Sequence, residues 1–171
     1  MSQVITDYFQ ETRGALLQLI EGLSYEQFNA TPNEEKWSVA QICHHLALFE
    51  LATIKAVKDG LREDNSTKSD PKDIKLILDR SKKAHAPKAV EPGGGPFEVQ
   101  EMVNMLRITR KKLHETMDSL EDCAVLNEKS IVHPRFGLLS LHQWVETVPL
   151  HEQRHIEQIK EIMAGWAYGT R

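Results

Sequence analysis

The stretch LHQWVETVPLHEQRHIEQIKEIMAGW, residues 141–166, decides the fold. Leu141, Trp144, Val148, His151, His155, Gln158 and Ile162 recur at steps of three and four, the spacing that places side chains on one face of an α-helix. With Ser140 as its cap, the pattern predicts a long helix over about 139–166. Pro149 lies inside it, which predicts a kink or a wider turn. The seam carries two histidines where a helical bundle ordinarily carries Leu or Ile.

Three more long helices are predicted upstream. Ile5, Tyr8, Thr12, Ala15, Leu19 and Leu23 form a stripe over 3–24, with Glu11, Arg13, Gln18 and Glu21 between them. Ser38, with Gln41 three residues on, has the spacing of a capping box. It opens a helix over 38–60 whose stripe is Ile42, His45, Phe49, Ala52 and Ala56. Val99, Met102, Leu106, Thr109, Leu113, Thr116 and Leu120 predict a helix over 96–121. Between the second and third, Ser69 or Asp70 before Pro71 predicts a short helix to about Ala84. Glu91-Pro-Gly-Gly-Gly-Pro96 then forbids regular structure and reads as an exposed connection rather than a phosphate-binding loop. His133-Pro-Arg-Phe-Gly137 is turn material, and no segment reads as a convincing strand. Four long helices over residues 1–171 predict a single all-α domain, a four-helix bundle.

Composition agrees. Of 171 residues, 40% are hydrophobic and 27% charged, with a net charge of −4, so neither wholesale disorder nor an electrostatic grip on nucleic acid or anionic membrane is expected. Two cysteines make no disulfide framework, no apolar run reaches a membrane span of about 20 residues, and Met1 to Glu11 lacks the form of a leader. The expectation is a cytoplasmic protein.

The chemistry lies in the eight histidines. His151 and His155 are four residues apart, hence about 40° apart on one helix face. Burying two bare imidazoles in a seam is costly unless each nitrogen finds a partner, and a metal ion supplies one. His151-Glu-Gln-Arg-His155 also matches the H-E-x-x-H of zinc proteases, but Gln158 and Glu161 stand where the extended motif needs Gly and a third His. Only 16 residues follow His155, too few for the later helix that supplies a Glu ligand in the other version. A third ligand must come from another helix, where His45 and its neighbour His44 both qualify by pattern. Three neutral imidazoles with an open position make a catalytic or ligand-binding arrangement rather than a closed structural zinc site.

Trp37-Ser38, six residues, then His45-Leu46 resembles the second-helix motif of the DinB/YfiT-like superfamily of small metal-binding four-helix proteins. His133-Pro-Arg-Phe-Gly137, Leu139-Ser140, Trp144 and His151-x-x-Arg154-His155-x-x-Gln158-Ile159 are similar to that family's last loop and helix. The resemblance implies an up-up-down-down bundle holding one divalent ion, nickel or zinc, through His45, His151 and His155. It also implies thiol chemistry, since members with assigned activity include S-transferases using bacillithiol-type thiols and thiol-dependent isomerases.

Several residues invite competing readings. Glu152 could act as base on metal-bound water, although its offset of about 100° from His151 favours a surface position. Gln158, a turn beyond His155, suits a supporting hydrogen bond or a substrate contact. Cys43 reads as a buried, inert thiol and Cys123, after two acids, as incidental. His114 and His142 fall nearer polar faces, His85 and His133 at loop edges, with the turn after His133 a candidate rim for the pocket. Lys82-Lys83 and Arg110-Lys111-Lys112 read as solvated helix faces, with a rim for an anionic thiol the alternative. Trp166 and Tyr168 offer apolar surface for a homodimer. Three functions are expected to compete: transferase acting on a low-molecular-weight thiol and a small-molecule electrophile, metal-dependent hydrolase, and non-enzymatic metal-binding stress-response protein.

Overall fold

The computed structural model describes residues 3–64, 66–81 and 85–168, with side chains from Asp7 to Trp166. Four long helices carry the structure: α1 (Gln3–Ile20), α3 (Val39–Arg62), α4 (Val99–Asp118) and α6 (Leu141–Tyr168). Two short helices, α2 (Tyr25–Asn29) and α5 (Val125–Glu128), punctuate the links. Their starts follow from capping. The Ser24 and Ser38 hydroxyls accept the backbone N–H of Gln27 and Gln41, and each Gln side chain accepts the cap's own N–H. The Ser140 hydroxyl accepts the N–H of Gln143 at the start of α6.

Two apolar clusters set the helix directions. At one end Leu16 and Ile20 meet Ile42, Leu46, Met102, Leu106, Ile156 and Ile159; at the other Phe9 meets Ile54, Val57, Leu113, Met117, Val145 and Val148. Thus α1 and α6 run one way, α3 and α4 the other. Chain order reads up, down, down, up rather than the expected up, up, down, down. Because α3 and α4 are parallel, their link must return the length of the bundle, which is the task of residues 63–98.

That return differs from the predicted helix. Among the described residues of that segment only Ile74–Leu78 coils, as a 3₁₀ turn, and Lys88–Val90 forms a second beyond it. Side chains of α6 take backbone groups that a helix would have used. Gln143 exchanges two hydrogen bonds with the backbone of Lys72, and Arg154 donates to the carbonyls of Ile77 and Asp79. Ile74 and Ile77 are buried against Trp144 and Leu150. A further departure is a hairpin in the stretch expected to be irregular, β1 (Ser130–His133) against β2 (Gly137–Ser140), Ile131 opposite Leu139 and Val132 opposite Leu138. Leu139 points into the core while Val132 and Leu138 face solvent, and Gly137 closes the turn at φ +69°.

Helix α1 buries Phe9, Thr12, Arg13, Leu16 and Ile20, a face rotated by about one residue from the predicted stripe. Arg13 is the cause, as shown below. Helix α6 continues through Pro149 without a break. Trp166 packs back onto the first apolar cluster. The Lys82-Lys83 pair lies outside the described residues, and no helix among those described is long and apolar enough to cross a membrane.

Candidate metal centre and the ion-pair ring beside it

Helices α3 and α6 cross where the seam histidines lie. His45 Nε2 is 3.3 Å from His151 Nε2, which is 3.2 Å from His155 Nε2, and ligating atoms of the three lie within 4.8 Å of one another. A tetrahedral ion with bonds of about 2.0–2.1 Å would space its nitrogens about 3.3 Å apart, so the two measured separations fit one. His44, the rival by pattern, turns away: its Nδ1 accepts the N–H of Gly93 at 3.0 Å, and its ring lies 5.0 Å from that of Phe97.

The outer nitrogens settle the protons. His45 Nδ1 lies 2.7 Å from the carbonyl oxygen of Val90, which can only accept, so the ring proton is on Nδ1. His155 Nδ1 lies 2.8 Å from Gln158 Oε1 and is held the same way. Both rings therefore present bare Nε2 lone pairs inward. Val90 belongs to the second 3₁₀ turn, so the long return supplies a carbonyl to this centre. Trp37 lies 4.9 Å from the His45 ring, and Phe49 stacks on His151 at 4.0 Å.

Burial keeps these imidazoles neutral. It depresses His155 to about 3, reinforced by His45 despite the Gln158 bond, and takes His151 well below its ordinary value, with His155 and His45 adding to the effect. His45 is lowered by burial against the opposing Val90 bond. His133 falls to about 4 through burial and the charge of Arg135. Since the unfolded pKa is about 6.5, the unfolded chain takes up protons first as pH drops. For His133, stability is complete above pH 6.5 and declines toward pH 4, by about 2 kcal/mol at pH 5. Urea midpoints of the metal-free protein should therefore be lower at pH 5 than at pH 7, with a smaller difference in His133→Gln.

Glu152 is not at the surface. It is 1% exposed and belongs to a closed ring of charges with one member from each long helix. Arg13 donates to Glu152 at 2.7 Å and Glu50 at 3.1 Å; Arg110 donates to Glu152 at 2.9 Å and also to Glu50. The Thr12 hydroxyl donates to Glu152 at 2.6 Å, that of Thr109 to Glu50 at 2.5 Å, and the remaining guanidinium nitrogens reach the carbonyls of Leu106 and Phe9. Burial would raise the Glu152 carboxyl, but the two guanidinium charges and the bonds from Thr12 and Arg13 hold it below its usual value. Arg13 likewise resists the lowering effect of burial and ends raised, through Glu152 and Glu50. Arg110 is thus no solvated cation; Lys111 and Lys112 beside it are exposed. Periodicity missed this ring because it counts every Arg and Glu as solvent-facing.

The remaining candidates fall out simply. Cys43 is fully buried and burial pushes its thiol up to about 12, so alkylation of the folded protein at pH 8 should leave it unmodified. His114 and His142 are half-buried, the latter 3.4 Å from Glu146, and His85 is exposed.

A four-helix bundle with three converging imidazoles on two antiparallel helices is the class the fold and geometry define. The chain belongs to the DinB superfamily, whose family model matches residues 8–159. It is 29% identical to the Bacillus subtilis (strain 168) protein YuaE, described as uncharacterized, over 90% of this chain and 94% of that one. Among solved structures it is similar to YfiT from Bacillus subtilis, described as a probable metal-dependent hydrolase with an unusual four-helix bundle topology. The TM-score is 0.67 at 18% identity, over 98% of this chain and 90% of that one. TT2238, a four-helix bundle protein, gives 0.63 at 18% identity, over 92% and 96%. At that identity the two structures speak to the fold.

Proposed function

We propose that His45, His151 and His155 hold one divalent ion, nickel or zinc, and that the protein transfers a low-molecular-weight thiol of the bacillithiol type to a small electrophile. The observation that carries the metal site is the convergence of three neutral imidazoles, two of them committed to bare inward lone pairs by Val90 and Gln158. Three protein ligands leave a position open, and a bound cation supplies the charge that makes a thiolate available at neutral pH. The protein's own groups orient and exclude. The Val90 carbonyl and Gln158 amide hold two rings in place, and Phe49 and Trp37 wall the centre with apolar surface. Glu152 is withdrawn as a base, since both its oxygens accept bonds from Thr12, Arg13 and Arg110. Among the alternatives, this favours a nucleophile that needs no protein base.

The description of YfiT as a probable metal-dependent hydrolase supports a second reading, with water in place of the thiol. Metal analysis of untagged protein, followed by thiol-consumption assays against an electrophile panel and an ester and amide screen, separates them. Metal-dependent thiol consumption lost in His151→Ala is expected. Chelator-sensitive hydrolysis without thiol consumption would transfer the assignment to the hydrolase, and neither activity to a binding role.

A further inference from the structure

Two of the three inward imidazoles have their outer nitrogens held, His45 by Val90 and His155 by Gln158. The third does not: His151 Nδ1 is buried without a hydrogen-bond partner among the described residues. A second ring nitrogen, His133 Nε2, is in the same condition. His133 ends β1, is 6% exposed and lies 4.3 Å from the ring of Trp144, which occupies the inward stripe of α6 two turns before His151. A positive charge on His133 would add, as the smallest contribution, to the lowering of His151 by burial.

The identity of the His133 group follows from its other side. His133 Nδ1 accepts the backbone N–H of Arg135 at 3.0 Å, so in the neutral ring the single proton sits on Nε2. A buried donor is thus carried on the hairpin beside Trp144, a residue of the helix that also carries His151. Leaving such a group unsatisfied is costly, and the same holds for His151 Nδ1.

We propose that His133 is a positioning residue for His151, its Nε2–H and His151 Nδ1 sharing one bridging water that holds the His151 ring with Nε2 toward His45 and His155. The proposal rests on those three residues being metal ligands. A water suits this place because it can turn. In the metal-free chain His151 Nε2 faces bare nitrogens at 3.3 and 3.2 Å, so its proton belongs on Nε2 and Nδ1 accepts. With a cation at the centre Nε2 must offer its lone pair, and the same single proton resides on Nδ1. A water that always accepts from His133 donates to His151 in the first state and accepts from it in the second.

The test uses the full chain labelled with ¹⁵N, metal-free and loaded with zinc, as wild type, His133→Phe and His133→Gln. Imidazole ¹⁵N shifts report which nitrogen of His151 is protonated, and competition with a chromophoric chelator gives zinc affinity. In the wild type the His151 proton is expected to move from Nε2 to Nδ1 on zinc loading, while His45 and His155 keep theirs on Nδ1. His133→Phe should bind zinc about 10–100-fold more weakly with unchanged helicity, and His133→Gln, which returns a donor, should recover part of that loss. Wild-type affinity and unchanged His151 shifts in His133→Phe would overturn the proposal and leave His133 as packing against Trp144. If the phenylalanine variant fails to fold, His133→Gln against His133→Asn decides, since only the longer amide reaches the Nε2 position; equal affinities overturn it. If the wild type binds no zinc, the metal reading is what has failed. The metal-free His151 shifts then judge the link alone: altered in His133→Phe they support it, unaltered they overturn it.

Discussion

Replacing His151 by alanine is expected to weaken binding of zinc or nickel by more than about 100-fold while leaving the helical content unchanged. Loss of a group that merely orients a ligand typically costs 10–100-fold, and His151 would be a ligand itself. It is also the middle member, 3.3 and 3.2 Å from the nitrogens of His45 and His155, which lie on separate helices. Without it two imidazoles face each other across the gap it leaves. The fold should survive because its apolar contacts lie elsewhere, Leu16, Ile42, Leu106 and Ile156 at one end and Phe9, Val57, Leu113 and Val148 at the other. For the same reason chelation should strip the metal without unfolding the wild type. Competition titration and circular dichroism check both; an alanine variant that binds within threefold of wild type would remove His151 from the ligand set.

Glu50→Gln should destabilise the protein by about 3–5 kcal/mol, a large share of the 5–15 kcal/mol that holds a typical domain together. Glu50 is wholly buried and accepts from Arg13, Arg110 and Thr109. Two guanidiniums and two carboxylates make the ring neutral. The amide is nearly the same shape but carries no charge, so two buried guanidiniums would face the single carboxylate of Glu152. Its NH₂ would also present donors to a donor. Glu152→Gln should act alike, and the two together should cost less than their sum, since the second change acts on a ring already broken. Urea unfolding measures this; a Glu50→Gln variant within 1 kcal/mol of wild type would mean that the ring contributes packing rather than paired charge.

These two expectations separate what could be read directly from what could not. Helix α4 followed its stripe, because Met102, Leu106, Thr109, Leu113 and Thr116 are set by the 3.6-residue turn. The starts at Ser38 and Ser140 were legible for an equally local reason, since a cap and the N–H it accepts lie three residues apart. The pairing of His151 with His155 belongs to the same class. By contrast, the α1 stripe missed its centre because Arg13 is apolar in no scale and is buried by partners 37 and 139 residues away.

Four amphipathic helices, the caps at Ser38 and Ser140, and an imidazole pair on the seam of the last helix were legible in the sequence, because each depends on residues within a turn or two. Periodicity left His44 and His45 open and the resemblance implied His45; the packed structure seats Gly93 on the first and Val90 on the second. That structure alone gave residues 71–81 a 3₁₀ turn in place of the expected helix, because Gln143 and Arg154 of α6 satisfy backbone groups there. It also drew Glu152 from an expected surface position into a ring of four charges. In each case the deciding partner lies far along the chain. A polar group's burial depends on whether its partner arrives, and that is a property of the packed bundle rather than of any window of sequence.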